Sequence, residues 1–114
     1  MSCGYSFVDT HVHLWDTRRL RYPWLQDIPK LNRPHLLAEY LEQAGATPVG
    51  AMVFLQCEVD PEQALAEAQW AQELAEREPR LEGIVAWAPL EKGSAARPFL
   101  ERLQQLPRVR GIRR

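Results

Sequence analysis

Short apolar runs alternate with segments of helical periodicity along the whole chain. Four of these runs have the composition of strands, at residues 5–9, 50–56, 81–87 and 109–113. The second and third are apolar at almost every position, which is typical of parallel strands buried on both faces. Strands of this kind, separated by helices, predict βαβ units and a parallel sheet.

Apolar residues at helical spacing predict three helices between the strands, at residues 34–45, 61–78 and 96–106. For the first helix, Asn32 or Arg33 is the expected N-cap, and Pro34 suits the first turn. Gly45 suits the left-handed stop that ends many helices. The resulting order of elements is β-α-β-α-β-α-β, within one α/β domain that spans residues 1–114.

The second helix is predicted to begin with a capping box. Asp60 is the expected cap, Pro61 fits the first helical position, and Gln63 is expected to reach back to the cap. Its apolar stripe consists of Leu65, Ala68, Ala71, Leu74 and Ala75. The acidic residues of this helix are expected to form a solvated face.

A long irregular stretch, residues 14–32, separates the first strand from the first helix. It contains Pro23 and shows no sustained period of 2 or 3.6. Structureless loops beyond about 12–15 residues are uncommon in compact domains and are often functional. This one carries Trp15, Tyr22 and Trp24, which could cover a pocket.

The candidate chemistry lies at the end of the first strand, where His11 and His13 are two positions apart. Residues i and i+2 of an extended chain point to the same side, so both imidazoles can reach one point. Neutral imidazole is a good ligand for zinc and similar ions. Asp9 lies on the same side and could orient a ligand. The alternative is two histidines that only pack or face solvent.

The stretch around these histidines resembles a known family. Residues 9–16 read Asp-Thr-His-Val-His-Leu-Trp-Asp, similar to the first-strand motif of the amidohydrolase superfamily. Trp15 and the later Tyr-Pro-Trp-Leu of residues 22–25 resemble the branch of sugar-acid lactonases, fucono- and rhamnono-lactonases and pyrone-dicarboxylate lactonase. Residues 53–56, 83–87 and 107–113 are similar to the second, third and fourth strands of these proteins.

The resemblance implies the N-terminal half of a (β/α)8 TIM barrel and a hydrolase that attacks a lactone carbonyl with activated water. A complete barrel needs ~250 residues. The resemblance therefore places the general base and further histidines on later strands, beyond residue 114. It also implies a divalent metal, zinc by expectation, although some lactonases of this branch work without metal. Leu14 and Pro89 depart from the family's usual phenylalanine and acidic residue.

Three further candidates lie at predicted carboxyl ends of strands, where barrels keep their active sites. Gln56 could donate a hydrogen bond to a small-molecule substrate, or it could satisfy nearby backbone. Trp87 could stack on a sugar ring, as could Trp15 from the aromatic loop, or it could belong to the core. Arg113 could bind a carboxylate with a bidentate fork, or it could be a surface arginine.

Charge and cysteine content narrow the class of partner. The 14 basic and 15 acidic residues give a net charge of −1, which does not favour nucleic acid or an anionic membrane. Cys3 and Cys57 match no metal or redox spacing, and Cys57 is expected to be inert. With no signal-peptide pattern and no apolar run near ~20 residues, a cytoplasmic protein is expected. His35 is expected to be structural or exposed.

Three alternatives remain at the level of the sequence. Related barrels use the same histidine pair in metal-dependent decarboxylases. A half barrel could instead be non-catalytic and associate as a homo-oligomer, because bare edge strands invite pairing. The chain could also be a fragment of a longer gene product that supplies the rest of the active site.

Overall fold

The computed structural model describes residues 4–114, so Cys3 lies outside the described residues. Its strands are β1 (Phe7–Val12), β2 (Val49–Leu55), β3 (Leu81–Ala86) and β4 (Val109–Ile112). Its helices are α1 (Leu37–Ala44), α2 (Ala64–Arg77) and α3 (Arg97–Leu103), and short 3-10 turns occur at Pro23–Asp27, Pro61–Gln63 and Leu90–Ala96.

The four strands form one parallel sheet in the order β1-β2-β3-β4. Strands and helices alternate along the chain, as in part of a (β/α) barrel, so the predicted fold class is confirmed. In β1 the register shifts between Asp9 and Val12, where three steps of β1 match two steps of β2. This irregularity lies at the histidine pair.

The centre of the sheet is buried because β2 and β3 supply its apolar core. Met52, Phe54 and Ile84 are almost fully buried, and Phe54 is paired with Ile84 across the two strands. The Phe54 ring meets the Trp70 ring of α2 edge to face at 6.3 Å. This contact joins α2 to the sheet, as the near-continuous apolar runs predicted.

Helix α1 begins later than the sequence predicted. Its N-cap position is Leu36, without a side-chain cap hydrogen bond, so neither Asn32 nor Arg33 caps it. The backbone of His35 is instead extended and exchanges two hydrogen bonds with Trp15, at 2.9 and 3.1 Å. The predicted end is confirmed, since Gly45 has φ +57° and its N–H donates to Glu42.

The predicted capping box at the start of α2 is wrong in one half. Asp60 does cap the preceding turn, because its carboxylate accepts from the Glu62 N–H at 3.0 Å. Gln63 does not reach back, because its side-chain oxygen accepts the Arg21 N–H at 2.6 Å. The side chain that was expected to close the helix end therefore docks the loop that follows β1.

The acidic face of α2 is not wholly solvated as expected. Glu67 is 1% exposed and Gln72 is 7% exposed, although both are polar. Trp70 and Ala71 on the same helix are also buried. Helix α2 thus turns a mixed surface toward the interior, with one carboxylate and one amide that each need a hydrogen-bond partner.

The segment after β1 packs as a compact cover over the carboxyl ends of the strands. Leu20, Tyr22 and Leu25 are buried within it. Arg21 ties it to the segment that leads into α2 through an ion pair with Asp60 at 2.6 Å. Among residues 4–114, no helix has the length and apolar character needed to cross a membrane.

Core packing predicts that alanine substitution costs much more stability at Leu81 of β3 than at Leu90, in the turn that follows this strand. Leu81→Ala should lower the free energy of unfolding by about 2–5 kcal/mol, because Leu81 is fully buried and leaves a cavity. Leu90→Ala should cost about 0.5 kcal/mol or less, because that side chain is 45% exposed. Urea denaturation measures both, and equal losses would contradict this packing.

Candidate functional site

His11, near the end of β1, and His13, directly after it, converge at the carboxyl end of the strand. The Nε2 atoms of His11 and His13 lie 3.0 Å apart, and the two rings meet edge to face at 4.8 Å. His11 is exposed, whereas His13 is half-buried. The strand geometry therefore brings two imidazole nitrogens to one point, as the i, i+2 spacing predicted.

The backbone of β2 sets the orientation of the His13 ring. Nδ1 of His13 lies 3.1 Å from the carbonyl oxygen of Leu55, so Nδ1 carries the hydrogen and donates it. In the neutral ring Nε2 then keeps its lone pair, which is the form a metal ligand requires. Burial lowers the pKa of His13, which favours this neutral ring.

Asp9 does not orient either imidazole, so its expected role is not seen. One carboxylate oxygen accepts the backbone N–H of His11 at 3.1 Å. The other accepts the hydroxyl of Tyr40 at 2.7 Å. The carboxylate thus joins β1 to α1 and shapes the backbone of the irregular stretch rather than the rings.

A cleft of ≈ 360 Å³ opens beside the histidine pair. It is lined by His13, Trp15, Trp24, His35, Gln56, Cys57, Glu58 and Arg113. Of the sequence-predicted site residues, the structure brings His13, Trp15, Gln56 and Arg113 together in this cleft. The mixture of aromatic walls and a few polar groups is what small-molecule sites usually present.

Two tryptophans from the segment after β1 form the aromatic wall. The Trp15 indole donates to the carbonyl of Arg33 at 3.0 Å, and the Trp24 indole donates to the carbonyl of Cys57 at 2.8 Å. The rings of Trp15 and Trp24 meet edge to face at 5.4 Å. Each ring is therefore held by its polar end while its apolar body faces the cleft.

Gln56 and Glu58 form a closed pair at the carboxyl end of β2. The Gln56 amide donates to the Glu58 carboxylate and accepts the Glu58 backbone N–H, both at 2.7 Å. Glu58 has φ +53°, an uncommon conformation for a residue with a side chain. Gln56 thus satisfies nearby backbone, the alternative left open above, and its contact with substrate stays a prediction.

No sequence pattern indicated Glu58, because its position in the cleft depends on this left-handed turn. Arg113 lines the cleft from the end of β4, and its positive charge also helps to lower the pKa of His13. Its backbone N–H donates to the carbonyl of Ala86 at 2.9 Å. The cleft consequently contains one acidic and one basic side chain beside the histidine.

Trp87 lies in the core rather than among the cleft-lining residues of the described chain. It is 7% exposed, and its ring meets Phe99 of α3 edge to face at 6.0 Å. The guanidinium of Arg114 lies 5.4 Å from the ring centre. Contact between Trp87 and a substrate stays a prediction, and the observed position matches the core alternative.

His35, the third histidine of the chain, serves the wall of the cleft. Its Nδ1 lies 3.2 Å from the carboxylate of Glu39, and its ring meets Trp15 edge to face at 5.0 Å. Its Nε2 is buried without a hydrogen-bond partner among the described residues. This arrangement agrees with the structural role expected for His35.

A buried network behind the aromatic wall was missed from the sequence. One carboxylate oxygen of Glu67 accepts the Tyr22 hydroxyl at 2.9 Å and the Cys57 N–H at 3.3 Å. Burial raises the pKa of Glu67 to about 7 and raises the pKa of Tyr22. Only the placement of Glu67 among apolar alanines on α2 hinted that it could face inward.

Cys57 touches the histidine site without being reactive. Its sulfur lies 3.4 Å from His13 Nδ1 and 3.3 Å from the carbonyl of Leu55. Burial raises the pKa of this thiol, so it stays protonated at neutral pH and is a poor nucleophile. This agrees with the inert role expected from the sequence.

The described residues supply two metal ligands at this point and not a full set. Within residues 4–114, no group of three or more His, Cys, Asp or Glu side chains is placed to hold a metal ion. Catalytic zinc sites usually have three protein ligands and one open position. The pair formed by His11 and His13 is therefore part of a larger ligand set, if a metal binds here.

The fold resembles that of amidohydrolases. A zinc-bound amidohydrolase from Burkholderia multivorans superposes with a TM-score of 0.74 at 26% identity, over 96% of this chain and 37% of that one. Amidohydrolase 2 from Bifidobacterium longum subsp. infantis shares the fold with a TM-score of 0.52 at 19% identity, over 75% and 33%. The similarity to the Burkholderia multivorans protein supports the amidohydrolase superfamily, and neither similarity distinguishes the lactonase branch.

A curated relative is similar over nearly the whole chain. The uncharacterized protein y4mH of Sinorhizobium fredii is 30% identical in an alignment of 117 positions that covers 95% of this chain and 39% of y4mH. No protein-family model matches the sequence. The chain thus spans well under half the length of y4mH and of the two amidohydrolases.

The raised pKa of Glu67 predicts a specific dependence of stability on pH. The folded state binds more protons than the unfolded state between the ordinary value of 4.5 and about 7. The free energy of unfolding should therefore fall as pH rises through this window, by about 3 kcal/mol in total, and level off above it. Glu67→Gln has no such titration and should lose this part of the pH dependence.

Urea denaturation at pH 5 and pH 8 checks this prediction. The quantity to compare is the difference between the two proteins, because every other titrating group is the same in both. Equal pH dependence in the wild type and Glu67→Gln would contradict a buried, destabilised carboxylate.

Proposed function

We propose that this protein is the histidine-bearing part of a metal-dependent hydrolase of the amidohydrolase type. The single observation that carries the proposal is the convergence of the His11 and His13 Nε2 atoms, 3.0 Å apart, beside a cleft at the carboxyl ends of parallel strands. Barrels of this class keep their chemistry at this end of the strands. The similarity to a zinc-bound amidohydrolase adds support.

The chemistry of the two rings fits a divalent ion such as zinc. Two ligands of a tetrahedral zinc ion lie about 3.3 Å apart, given Zn–N distances near 2.0–2.1 Å, and the observed separation is 3.0 Å. His13 already donates from Nδ1 to the Leu55 carbonyl, so its free lone pair is on Nε2. Without metal, His11 then donates its Nε2 hydrogen to His13, and it would shift that hydrogen to Nδ1 to become a ligand.

The proposal requires partners from outside the described residues. Two imidazoles are fewer than the three protein ligands of most catalytic zinc sites. The general base is also expected from outside residues 4–114. The relatives are more than twice as long as this chain, and a complete enzyme of this kind has room for these groups.

The residues of this chain would bind and orient the substrate. When bound, a divalent ion supplies Lewis-acid activation of a water molecule or of a carbonyl group. Trp15 and Trp24 would exclude water from one side of the substrate, and Arg113 would hold a carboxylate or another anionic group. The Gln56–Glu58 pair would accept or donate hydrogen bonds at the rim of the cleft.

We propose a lactone as the substrate, and specifically a sugar-acid lactone or a similar lactone that carries a carboxylate. A lactone ring fits against the aromatic wall of Trp15 and Trp24, and Arg113 adds a positive charge to the lining of this cleft of ≈ 360 Å³. The sequence motifs around His11 and Trp24 support this branch. Product analysis with lactones and with aromatic carboxylic acids separates hydrolysis from decarboxylation.

If His11 and His13 are metal ligands, replacing either one should remove the metal, whereas replacing His35 should not. His11→Ala and His13→Ala should each weaken zinc affinity more than about 100-fold, because each removes a direct ligand. Lactone hydrolysis should fall with it. His35→Ala is the matched control, because His35 lines the same cleft but its Nδ1 is engaged by Glu39.

Zinc content after dialysis and the initial rate of lactone hydrolysis are measured on all four proteins. Unchanged zinc content in both His11→Ala and His13→Ala would overturn the ligand role. A loss of zinc as large in His35→Ala would mean that the effect comes from the cleft as a whole.

Replacement of Arg113 is expected to lower the rate of hydrolysis selectively for substrates that carry a negative charge. Arg113→Met should lower kcat/KM about 10- to 100-fold for a lactone with a free carboxylate, because a charge-assisted hydrogen bond is lost. The methyl ester of the same lactone should react nearly as before. Arg102→Met, on the exposed surface of α3, is the matched control, and equal losses for acid and ester would contradict the assignment.

A further inference from the structure

Glu67 has a position that core packing alone does not explain. It is 1% exposed and stands on α2 among buried alanines. Burying a carboxylate is costly unless hydrogen bonds compensate. One of its oxygens accepts two hydrogen bonds, from the Tyr22 hydroxyl at 2.9 Å and from the Cys57 N–H at 3.3 Å.

The two partners of Glu67 lie in two segments that supply residues to the cleft, the aromatic segment after β1 and the end of β2. Tyr22 is buried in the aromatic segment after β1, only two residues before Trp24. Cys57 follows the end of β2, and its carbonyl accepts the Trp24 indole N–H at 2.8 Å. Glu67 therefore contacts both ends of the arrangement that holds Trp24 in place.

The same network continues to the histidine site. The sulfur of Cys57 lies 3.4 Å from Nδ1 of His13, on the side where the ring is held by the Leu55 carbonyl. A shift of the Cys57 backbone would displace the acceptor of Trp24 and a neighbour of His13 together. No direct contact between Glu67 and His13 is needed for this effect.

We propose that Glu67 is a positioning residue that holds Trp24 and the end of β2 in the arrangement that forms the cleft. Its kinetic consequence rests on the proposed hydrolase function, whereas its structural consequence does not. The titratable groups near Glu67 are the carboxylate of Glu58, the hydroxyl of Tyr22 and the thiol of Cys57. All of them lie in the segments that Glu67 is proposed to join.

The chain offers a matched control on the same helix. Gln72 is also buried on α2, and its side-chain oxygen accepts a backbone N–H, that of Arg108, at 2.9 Å. Arg108 directly precedes β4, at the end of the sheet opposite the cleft. Gln72→Ala should therefore destabilise the fold in a similar way without disturbing Trp24.

The indole N–H of Trp24 reports on the proposal without any need for activity. The protein contains four tryptophans, and comparison with Trp24→Phe assigns the Trp24 indole signal in a ¹H–¹⁵N spectrum. In Glu67→Ala, solvent exchange of this N–H should become about tenfold faster, because the Cys57 N–H loses its acceptor and the backbone that carries the Cys57 carbonyl is less firmly held. Glu67→Gln keeps an oxygen acceptor and should retain the wild-type rate, as should Gln72→Ala.

The steady-state kinetics extend the test to the proposed reaction. With glucono-1,5-lactone as the probe, Glu67→Ala should raise KM about tenfold and change kcat less, because the tryptophan wall acts in binding. Gln72→Ala should leave KM unchanged. If the wild type hydrolyses no lactone even together with the partners that supply the general base and the remaining metal ligands, the proposed function fails, but the indole exchange still decides the role of Glu67.

Two results would overturn the proposal. One is an unchanged Trp24 exchange rate in Glu67→Ala, and the other is an equal acceleration in Gln72→Ala. If Glu67→Ala does not fold, Tyr22→Phe replaces it, because this variant removes only the hydroxyl that Glu67 accepts. It should then accelerate the Trp24 exchange several-fold, and a wild-type rate would equally overturn the proposal.

Discussion

The backbone at the carboxyl end of β2 is the anchor on which the candidate site depends. The Leu55 carbonyl orients the His13 ring, the Cys57 carbonyl holds the Trp24 indole, and the Cys57 N–H is bound by Glu67. These groups are available because the ladder of β2 ends here, so its last carbonyl and amide groups are free to bind side chains. A histidine from β1, a wall from the next segment and a helix are thereby joined at one point.

This anchoring also explains why a polar residue is kept in the interior of α2. An apolar side chain at Glu67 would pack against the sheet but would leave the Tyr22 hydroxyl and the Cys57 N–H without their present acceptor. Unsatisfied buried groups of this kind cost about 1–3 kcal/mol each. The carboxylate offsets that cost, although burial makes its own charge unfavourable and raises its pKa to about 7.

Local patterns were sufficient to predict the sheet and the histidine pair. The apolar runs of β2 and β3, the Gly45 stop and the i, i+2 spacing of His11 and His13 each depend on a few neighbouring residues. The errors arose where a distant segment competes for the same group. His35 pairs with Trp15 instead of starting α1, and Gln63 binds Arg21 instead of closing the capping box.

The parts of the cleft that the sequence missed have the same origin. From the sequence alone, Glu67 is expected on the exposed face of α2, because its partner Tyr22 lies 45 positions earlier in the chain. Glu58 enters the cleft only because its backbone has φ +53° and Gln56 binds it on both sides. Neither feature leaves a periodic trace in the sequence, since both depend on contacts made after the strands have paired.

The central claim is that the two imidazoles of β1 share one binding point, with their orientation set by the end of β2. Long-range ¹H–¹⁵N spectra of the histidine rings during a zinc titration test it most directly. We expect an Nδ1–H tautomer for His13 before zinc is added, followed by parallel shifts of the His11 and His13 Nε2 signals while those of His35 stay unchanged. The opposite His13 tautomer, or a zinc response confined to one ring of the pair, would contradict it.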